Sequence, residues 1–227
     1  MCIRDRLHVH VPFSSGARAQ CSVTSMVKLY LYNIYILAYL YLQFTDVNDC
    51  STANCIPLLI QQHVDRTTPF FNRSWAEFKV GFNDSSGNYW LGNELLSQLT
   101  VKRPFKLRID LQSLNHSYWF FAEYGFFRVL PETESYRLQA YEYLGNAGRN
   151  SFSYHNEMLF STYDRDNDMH PAINCATYAS GGFWYNSCSR SPLNAGVGGL
   201  HPAFIWVGLP GGTSNYLQSS RMWLECK

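Results

Sequence analysis

Regular hydrophobic patterning stops near Asn146, and glycine, asparagine and serine become frequent over the rest of this 227-residue chain. So long a loop region stays ordered in a compact domain only if something other than strand pairing fixes it. Before Asn146, short runs of aromatic and β-branched residues are separated by Gly, Asn, Asp or Pro, which indicates short strands and turns. The sequence therefore predicts an α+β domain whose second half is mostly ordered loop.

Four segments of the first half carry clear secondary-structure signals. Residues 106–114 and 134–145 alternate polar and apolar side chains, which predicts half-buried strands. Residues 74–82 begin with Ser-x-x-Glu, the capping box of a short helix, and residues 92–100 predict a second helix. These elements are the regular part of the expected domain.

Composition and motifs limit the function classes. A net charge of +1 gives no bulk attraction to nucleic acid. The seven histidines are scattered, and the sequence contains no G-x-S-x-G, H-E-x-x-H or C-x-x-C motif, so no catalytic centre is indicated. We expect a binding protein and not an enzyme.

Cysteines and glycosylation motifs favour a secreted protein. The chain has seven cysteines, more than a cytosolic protein of this size usually carries. Three Asn-x-Ser sequons, at Asn72, Asn83 and Asn115, predict glycosylation on a secretory route. The sequence does not indicate the pairing of five of the cysteines, namely Cys2, Cys21, Cys50, Cys55 and Cys226.

Residues 1–57 differ in texture from residues 58–227, which predicts a boundary between them. Residues 26–44 have a basic start followed by an uncharged apolar run, the pattern of a signal peptide or a short membrane anchor. Residues 46–55 resemble the opening of an epidermal-growth-factor-like module with two of its six cysteines. The open alternative is that residues 1–57 are non-native sequence, because "MCIRDR" is typical of translated adapters.

Two features of the second half could fix its loops. Cys175 and Cys188 have twelve residues between them, and a disulfide there would stabilise the fold by about 3 kcal/mol. The alternative is a pair of buried thiols. An acidic loop, residues 164–174, begins with Asp164, Asp166 and Asp168 in the spacing of EF-hand positions 1, 3 and 5.

The acidic loop is not an EF-hand. Met169 stands where that motif needs glycine, and Cys175 stands where it needs a bidentate glutamate. The residues alone leave two interpretations open, a calcium site of another kind or an exposed acidic turn.

Several aromatic-rich blocks, in order, resemble the fibrinogen C-terminal, or fibrinogen-related, domain family. The blocks are WAEFKVGF, GNYWLGNELLSQLT, LRIDL, FSYHNEMLFSTYDRDND, NCATY and GGFWYNSC. The resemblance covers residues 58–227 and lacks the family's N-terminal subdomain. It implies a central antiparallel sheet, short helices and a loop-rich C-terminal subdomain that binds calcium and ligand.

The resemblance places a calcium site in the acidic loop. Two carboxylates and two backbone carbonyls would form it: Asp166, Asp168, His170 and Ala172. Asp164 would lie outside the coordinating set. An extra residue near Pro171 leaves Ile173 as an alternative carbonyl donor.

The resemblance also implies a ligand pocket beside the second cysteine. In lectin-like members a cis peptide, here Ser187–Cys188, turns the Cys188 N–H toward an N-acetyl group of the ligand. The implied ligand-binding residues are Tyr185, Ser187, Cys188, Ser189, Phe204 and Tyr216. The family often has histidine where this chain has Ser189. His155 is expected to serve a structural hydrogen-bonding role, and Trp184 to belong to the core.

The expected function is calcium-dependent recognition outside the cell. The main interpretation is a secreted lectin that binds N-acetylated glycans in innate immunity, with Ca²⁺ as cofactor. The alternative is a matrix, adhesion or clotting-type domain whose pocket takes a segment of an extracellular protein. Because single-site sugar affinity is usually weak, the lectin interpretation requires a homo-oligomer.

Overall fold

The structure is a computed structural model that describes residues 57–64, 69–114, 118–196, 204–210 and 215–227, without the side chain of Cys226. Residues 54–227 form one of the two units into which the chain divides. The predicted signal or anchor at 26–44, the growth-factor-like segment at 46–55 and the sequon at Asn115 lie outside the described residues. None of the helices within the described ranges has the length and apolarity that a bilayer span requires.

A seven-stranded sheet forms the centre of the described domain. Its order is β2-β3-β1-β7-β4-β5-β6, and every neighbouring pair is antiparallel. The strands are β1 (Leu58–His63), β2 (Phe82–Asn83), β3 (Tyr89–Trp90), β4 (Phe105–Ser113), β5 (Trp119–Val129), β6 (Leu138–Gly145) and β7 (Leu217–Cys226).

Within the described residues, three short α-helices and two 3₁₀ turns accompany the sheet. They are α1 (Trp75–Val80), α2 (Asn93–Lys102) and α3 (Cys175–Ala179), with 3₁₀ turns at Glu132–Glu134 and Phe152–His155. The predicted capping box is confirmed, because the Ser74 hydroxyl accepts from the Glu77 N–H and the Glu77 carboxylate accepts from the Ser74 N–H. The second predicted helix is α2, so the α+β class is confirmed.

The two predicted strands are β4 and β6, but β6 begins later than predicted. Ser135 and Tyr136 both have positive φ angles, 50° and 51°, which form a turn and delay the strand until Leu138. In β4 the alternation holds, with Leu107, Ile109 and Leu111 fully buried between less buried neighbours.

An aromatic cluster attaches the loop-rich half to the sheet. Phe160 lies 5.0 Å from Phe78 of α1 and 5.2 Å from Trp184, measured between ring centroids. Trp184 also lies 6.1 Å from Trp90 of β3, and its indole N–H donates to the Tyr136 carbonyl at 2.7 Å. Trp184 is therefore a core residue, as expected.

The loop before Trp184 passes the core at distances that exclude side chains. A Cβ added to Gly181 would lie 1.9 Å from the Asn194 carbonyl oxygen, and one added to Gly182 would lie 2.4 Å from the Phe78 ring. Glycine permits this close backbone approach. The Gly-Gly pair thereby positions the segment that leads to Cys188.

Candidate functional site

A disulfide connects the residue that follows the acidic loop to the segment around Cys188. Cys175, the first residue of α3, is bonded to Cys188, which confirms the predicted pair. We call residues 186–190 the ligand loop. The Met169 N–H donates to the Asn186 carbonyl at 3.0 Å, so a hydrogen bond also connects the acidic loop to the ligand loop. The two loops are held together at two points.

The three aspartates of the acidic loop have different roles. Asp164 Oδ1 accepts from the Trp75 N–H at 2.9 Å and from the Thr162 hydroxyl at 2.7 Å. It therefore ties the acidic loop to the first turn of α1. Asp166 Oδ1 instead accepts from the Asp168 N–H at 3.2 Å, within the loop itself.

Asp168 accepts hydrogen bonds through both of its carboxylate oxygens. Its Oδ1 accepts from the His170 N–H at 2.8 Å, and its Oδ2 accepts from the Cys175 N–H at 2.7 Å. Burial raises the pKa of Asp168, and the adjacent Asp166 carboxyl raises it further, against the effect of those two hydrogen bonds. Among the described ion pairs, none joins a lysine or arginine to Asp166 or Asp168. A bound cation would relieve the repulsion between them.

The turn around Pro171 leaves backbone oxygens for such a cation. The His170 imidazole closes this turn, because its Nδ1 accepts from the N–H groups of Ala172 and Ile173, each at 3.2 Å. No described group donates a hydrogen bond to the carbonyl oxygens of His170 or Ala172. Two carboxylates with nearby carbonyls suit calcium, which prefers oxygen ligands.

Side chains alone do not form a metal site among the described residues. Within the described ranges, no group of three or more His, Cys, Asp and Glu side chains could hold a metal ion. Any cation in the acidic loop would therefore depend on backbone carbonyls or water as well as on Asp166 and Asp168. The assignment of these ligands stays a prediction.

The expectation of a cis peptide at Ser187–Cys188 is wrong, since none of the described peptide bonds is cis. A cis bond without proline costs about 3–4 kcal/mol. The ligand loop turns without one: the Asn186 N–H donates to the Cys188 carbonyl at 3.0 Å, and the Tyr154 hydroxyl donates to the Ser187 carbonyl at 3.0 Å.

Two of the predicted ligand-binding rings lie in the core. Tyr185 is fully buried, and its hydroxyl donates to the Gly181 carbonyl at 2.6 Å. Burial raises the pKa of Tyr185, and the nearby Asp168 carboxylate adds to this rise. Phe204 is also buried and stacks on the His63 ring at 4.1 Å. As a correction to the expected pocket, neither ring is presented to a ligand in this conformation.

The other four predicted ligand-binding residues are at least partly accessible. Ser187 is exposed, and Cys188 and Ser189 are half-buried beside it in the ligand loop. Tyr216 is 38% exposed, but it forms a bridge with Ile205, and its carbonyl accepts from the Leu114 N–H near the end of β4. The Cys175–Cys188 bond and the Met169–Asn186 hydrogen bond bring residues 187–189 to the acidic loop.

Tyr154 and Arg190 also lie at this site, although no motif in the sequence indicated them. The Arg190 guanidinium lies over the Tyr154 ring, 4.7 Å from its centroid. Tyr154 contacts the ligand loop twice, through its hydroxyl to Ser187 and through its carbonyl, which accepts from Asn186 Nδ2 at 3.3 Å. The position of Tyr154 beside His155 was the one signal available in the sequence.

His155 has the structural role that was expected. Its Nδ1 lies 2.7 Å from the Trp184 carbonyl, and its Nε2 accepts from the N–H groups of Arg190 and Ser191 at 3.3 and 3.1 Å. These partners place the proton on Nδ1. Burial lowers the pKa of His155 to about 4, so the ring is neutral at physiological pH.

Comparison with known proteins decides the family. The family model for the C-terminal globular domain of fibrinogen beta and gamma chains matches residues 25–222. The chain belongs to this family. The match begins upstream of residue 58, and the boundary expected there stays a prediction. Members of this family are non-enzymatic recognition or signalling proteins, which agrees with the expectation of a binding protein and not an enzyme.

The chain is similar in sequence to an angiopoietin-related protein and to a ficolin. It is 43% identical to angiopoietin-related protein 2 of Mus musculus over 130 residues, which is 57% of this chain and 26% of that protein. It is 39% identical to Ficolin-3 of Homo sapiens over 137 residues, which is 60% of this chain and 45% of that protein. The aligned segment thus spans between about a quarter and about half of these relatives.

Solved structures share the fold. The fibrinogen-like globe domain of human ANGPTL2 matches with a TM-score of 0.65 and 38% identity, covering 74% of this chain and 79% of that one. Lamprey fibrin D-dimer, complexed with the peptide ligand Gly-His-Arg-Pro-amide, matches with a TM-score of 0.64 and 25% identity, covering 88% and 86%. The fibrinogen-type fold expected from the sequence is confirmed.

The two predicted glycosylation sites within the described residues are both accessible. Asn72, before α1, and Asn83, in β2, are both exposed. Exposure is what a glycan on either residue requires, and glycosylation itself stays a prediction.

Proposed function

We propose that this chain is a secreted, calcium-dependent recognition domain that binds N-acetylated glycans in innate defence. The observation that carries this proposal is the pair of contacts that holds the ligand loop beside the acidic loop. The Cys175–Cys188 bond and the Met169–Asn186 hydrogen bond couple the carboxylate pair of the acidic loop to the exposed Ser187. Similarity to Ficolin-3 supports a lectin of the kind that the sequence resemblance implies.

Calcium would supply the positive charge that no described lysine or arginine provides to Asp166 and Asp168. Asp166 and Asp168 would hold it, with the carbonyls of His170 and Ala172. Asp168 also accepts from the Cys175 N–H, so an ordered Asp168 holds the first residue of α3 in place. Because Cys175 is bonded to Cys188, fixing the acidic loop would also restrict the motion of the ligand loop.

The ligand loop can offer both parts of an acetyl-group site. Although the Ser187–Cys188 peptide is not cis, the Cys188 N–H donates none of the described hydrogen bonds, and it is the proposed donor to the acetyl carbonyl. The half-buried Tyr154 ring is the proposed apolar contact for the acetyl methyl. Tyr154 replaces Tyr185 and Phe204 in this role because those two rings are buried. The hydrogen bond from the Tyr154 hydroxyl to Ser187 fixes the ring beside the loop.

A second candidate is a domain that binds a protein segment in matrix, adhesion or clotting. Lamprey fibrin D-dimer, a structural relative, was solved with a short peptide ligand, which favours this alternative. The same exposed loop would then take a peptide backbone in place of an acetyl group.

A glycan array probed with the full-length chain, with and without calcium, tests the proposal. We expect signals on glycans that end in N-acetylated sugars, and we expect a chelator to remove them. Calcium-replete protein that ignores every acetylated glycan but binds an extracellular protein would establish the second candidate instead.

A further inference from the structure

Arg190 is an ordered cation at the edge of the ligand loop. Its N–H donates to His155 Nε2 at 3.3 Å, and its carbonyl accepts from the Val207 N–H at 3.0 Å, so its backbone is fixed on both sides. Its guanidinium is held over the Tyr154 ring at 4.7 Å, while the residue as a whole is exposed. Stacking on an aromatic face limits the motion of the charge without neutralising it.

Tyr154 connects this cation to the proposed acetyl site. The ring that lies under the guanidinium carries the hydroxyl that donates to the Ser187 carbonyl. Its backbone carbonyl accepts from the Asn186 side chain, two residues before Cys188. A sugar seated on Tyr154 and the Cys188 N–H would therefore have the Arg190 charge beside it.

No described carboxylate pairs with Arg190. The cations in the described ion pairs are Arg73, Lys79, Arg108, Arg137 and Lys227. A guanidinium presents a planar fork of donors that matches carboxylate and sulfate oxygens in two-point hydrogen bonds. An ordered, exposed fork with no carboxylate partner among the described residues favours an anionic group on the ligand.

We infer that Arg190 selects acidic N-acetylated sugars, those with a carboxylate or a sulfate, over neutral ones. This inference rests on the proposed glycan function and names the ligand class of the same site. Tyr154 and Cys188 receive the acetyl group, and Arg190 binds the anion. The preference weakens with salt, because the pair is exposed.

The test compares sugars that differ in charge. The full-length chain in calcium is titrated calorimetrically with N-acetylglucosamine, N-acetylglucosamine 6-sulfate and N-acetylmuramic acid. The variants are Arg190→Gln, Arg190→Lys and the control Arg221→Gln. Arg221 is a suitable control because it also lies over an aromatic ring, that of Trp119 at 5.5 Å, but on β7.

We expect the wild type and Arg221→Gln to bind the acidic sugars about threefold to tenfold more tightly than the neutral one. Arg190→Gln should bind all three equally, and Arg190→Lys should keep part of the preference. Equal affinities in the wild type, or a preference that survives in Arg190→Gln, would overturn the inference but leave the glycan function standing. Failure of the wild type to bind any of the three sugars would overturn the glycan function and, with it, this inference.

Discussion

Individual side chains decide what the acidic loop can do. Asp164 accepts from the first N–H of α1, whereas Asp166 and Asp168 lie against each other without a described basic partner. The sequence spacing presented three equivalent aspartates, and only the resemblance separated the first from the other two. The hydrogen bond that distinguishes Asp164 joins residues 89 positions apart, which no local pattern can reveal.

Replacing Asp166 and Asp168 together by Asn should abolish the stabilisation that calcium gives. The change keeps side-chain shape and removes the charge that a hard cation requires. At calcium one-hundredfold above the dissociation constant, the wild type should melt roughly 5–11 °C higher than in chelator.

The control for this pair is Asp164→Asn, whose Oδ1 can still accept from the Trp75 N–H. It should retain the calcium-induced shift. An unchanged shift in the double variant would refute the ligand assignment; scanning calorimetry measures all three proteins.

Stability should fall on acidification because His155 must stay neutral in the folded chain. Its pKa is lowered from 6.5 to about 4, so between these values the unfolded state binds a proton that the folded state does not. Between pH 7 and pH 5 this should remove about 2 kcal/mol from the free energy of unfolding.

His155→Gln separates this effect from other titrations. The variant should be less stable at pH 7, since two backbone N–H groups lose their acceptor geometry, but its stability should vary less with pH. Urea unfolding at several pH values gives both slopes. Identical slopes for the variant and the wild type would contradict the role assigned to His155.

Elements differ in how far they could be predicted. The α1 capping box and the alternation in β4 are local signals, and both were predicted correctly. The central strand β7 was not predicted, because its buried face includes serine. The Ser220 hydroxyl is satisfied by a buried hydrogen bond with the Gln61 side chain of β1, which sequence patterns do not display.

The ligand loop and α3 should depend on the disulfide for their order. Replacing both Cys175 and Cys188 by Ala should lower the free energy of unfolding by about 3 kcal/mol, because the unfolded chain is no longer constrained. The melting temperature should fall by roughly 6–12 °C. The calcium-induced shift should shrink because the acidic loop loses one of its two connections to the ligand loop and keeps only the Met169–Asn186 hydrogen bond.

Ser187→Ala is the matched control for this change, since Ser187 is an exposed neighbour in the same loop. Its melting temperature should equal that of the wild type. If the double cysteine variant also melted at the wild-type temperature, the bridge could not be what fixes the loops. Differential scanning fluorimetry makes both comparisons.

At the scale of the whole described domain, a sheet with an aromatic core supports the loops that carry the proposed recognition site. The fold was predicted from the resemblance, because three separate aromatic-rich blocks carry Trp90, Phe160 and Trp184, whose rings contact one another in the core. The ligand pocket was predicted less accurately from the same resemblance. Tyr185 and Phe204 are buried, and the Ser187–Cys188 peptide is trans, since burial and backbone conformation depend on tertiary contacts that a motif does not contain.

Chromatography of the full-length chain on N-acetylglucosamine resin tests the central claim most directly. The calcium-loaded wild type and Asp164→Asn should be retained and should elute with free N-acetylglucosamine or with chelator. The variant with both Asp166→Asn and Asp168→Asn should pass through. Calcium-loaded wild type that passes through, while binding an extracellular matrix protein, would contradict calcium-dependent glycan recognition.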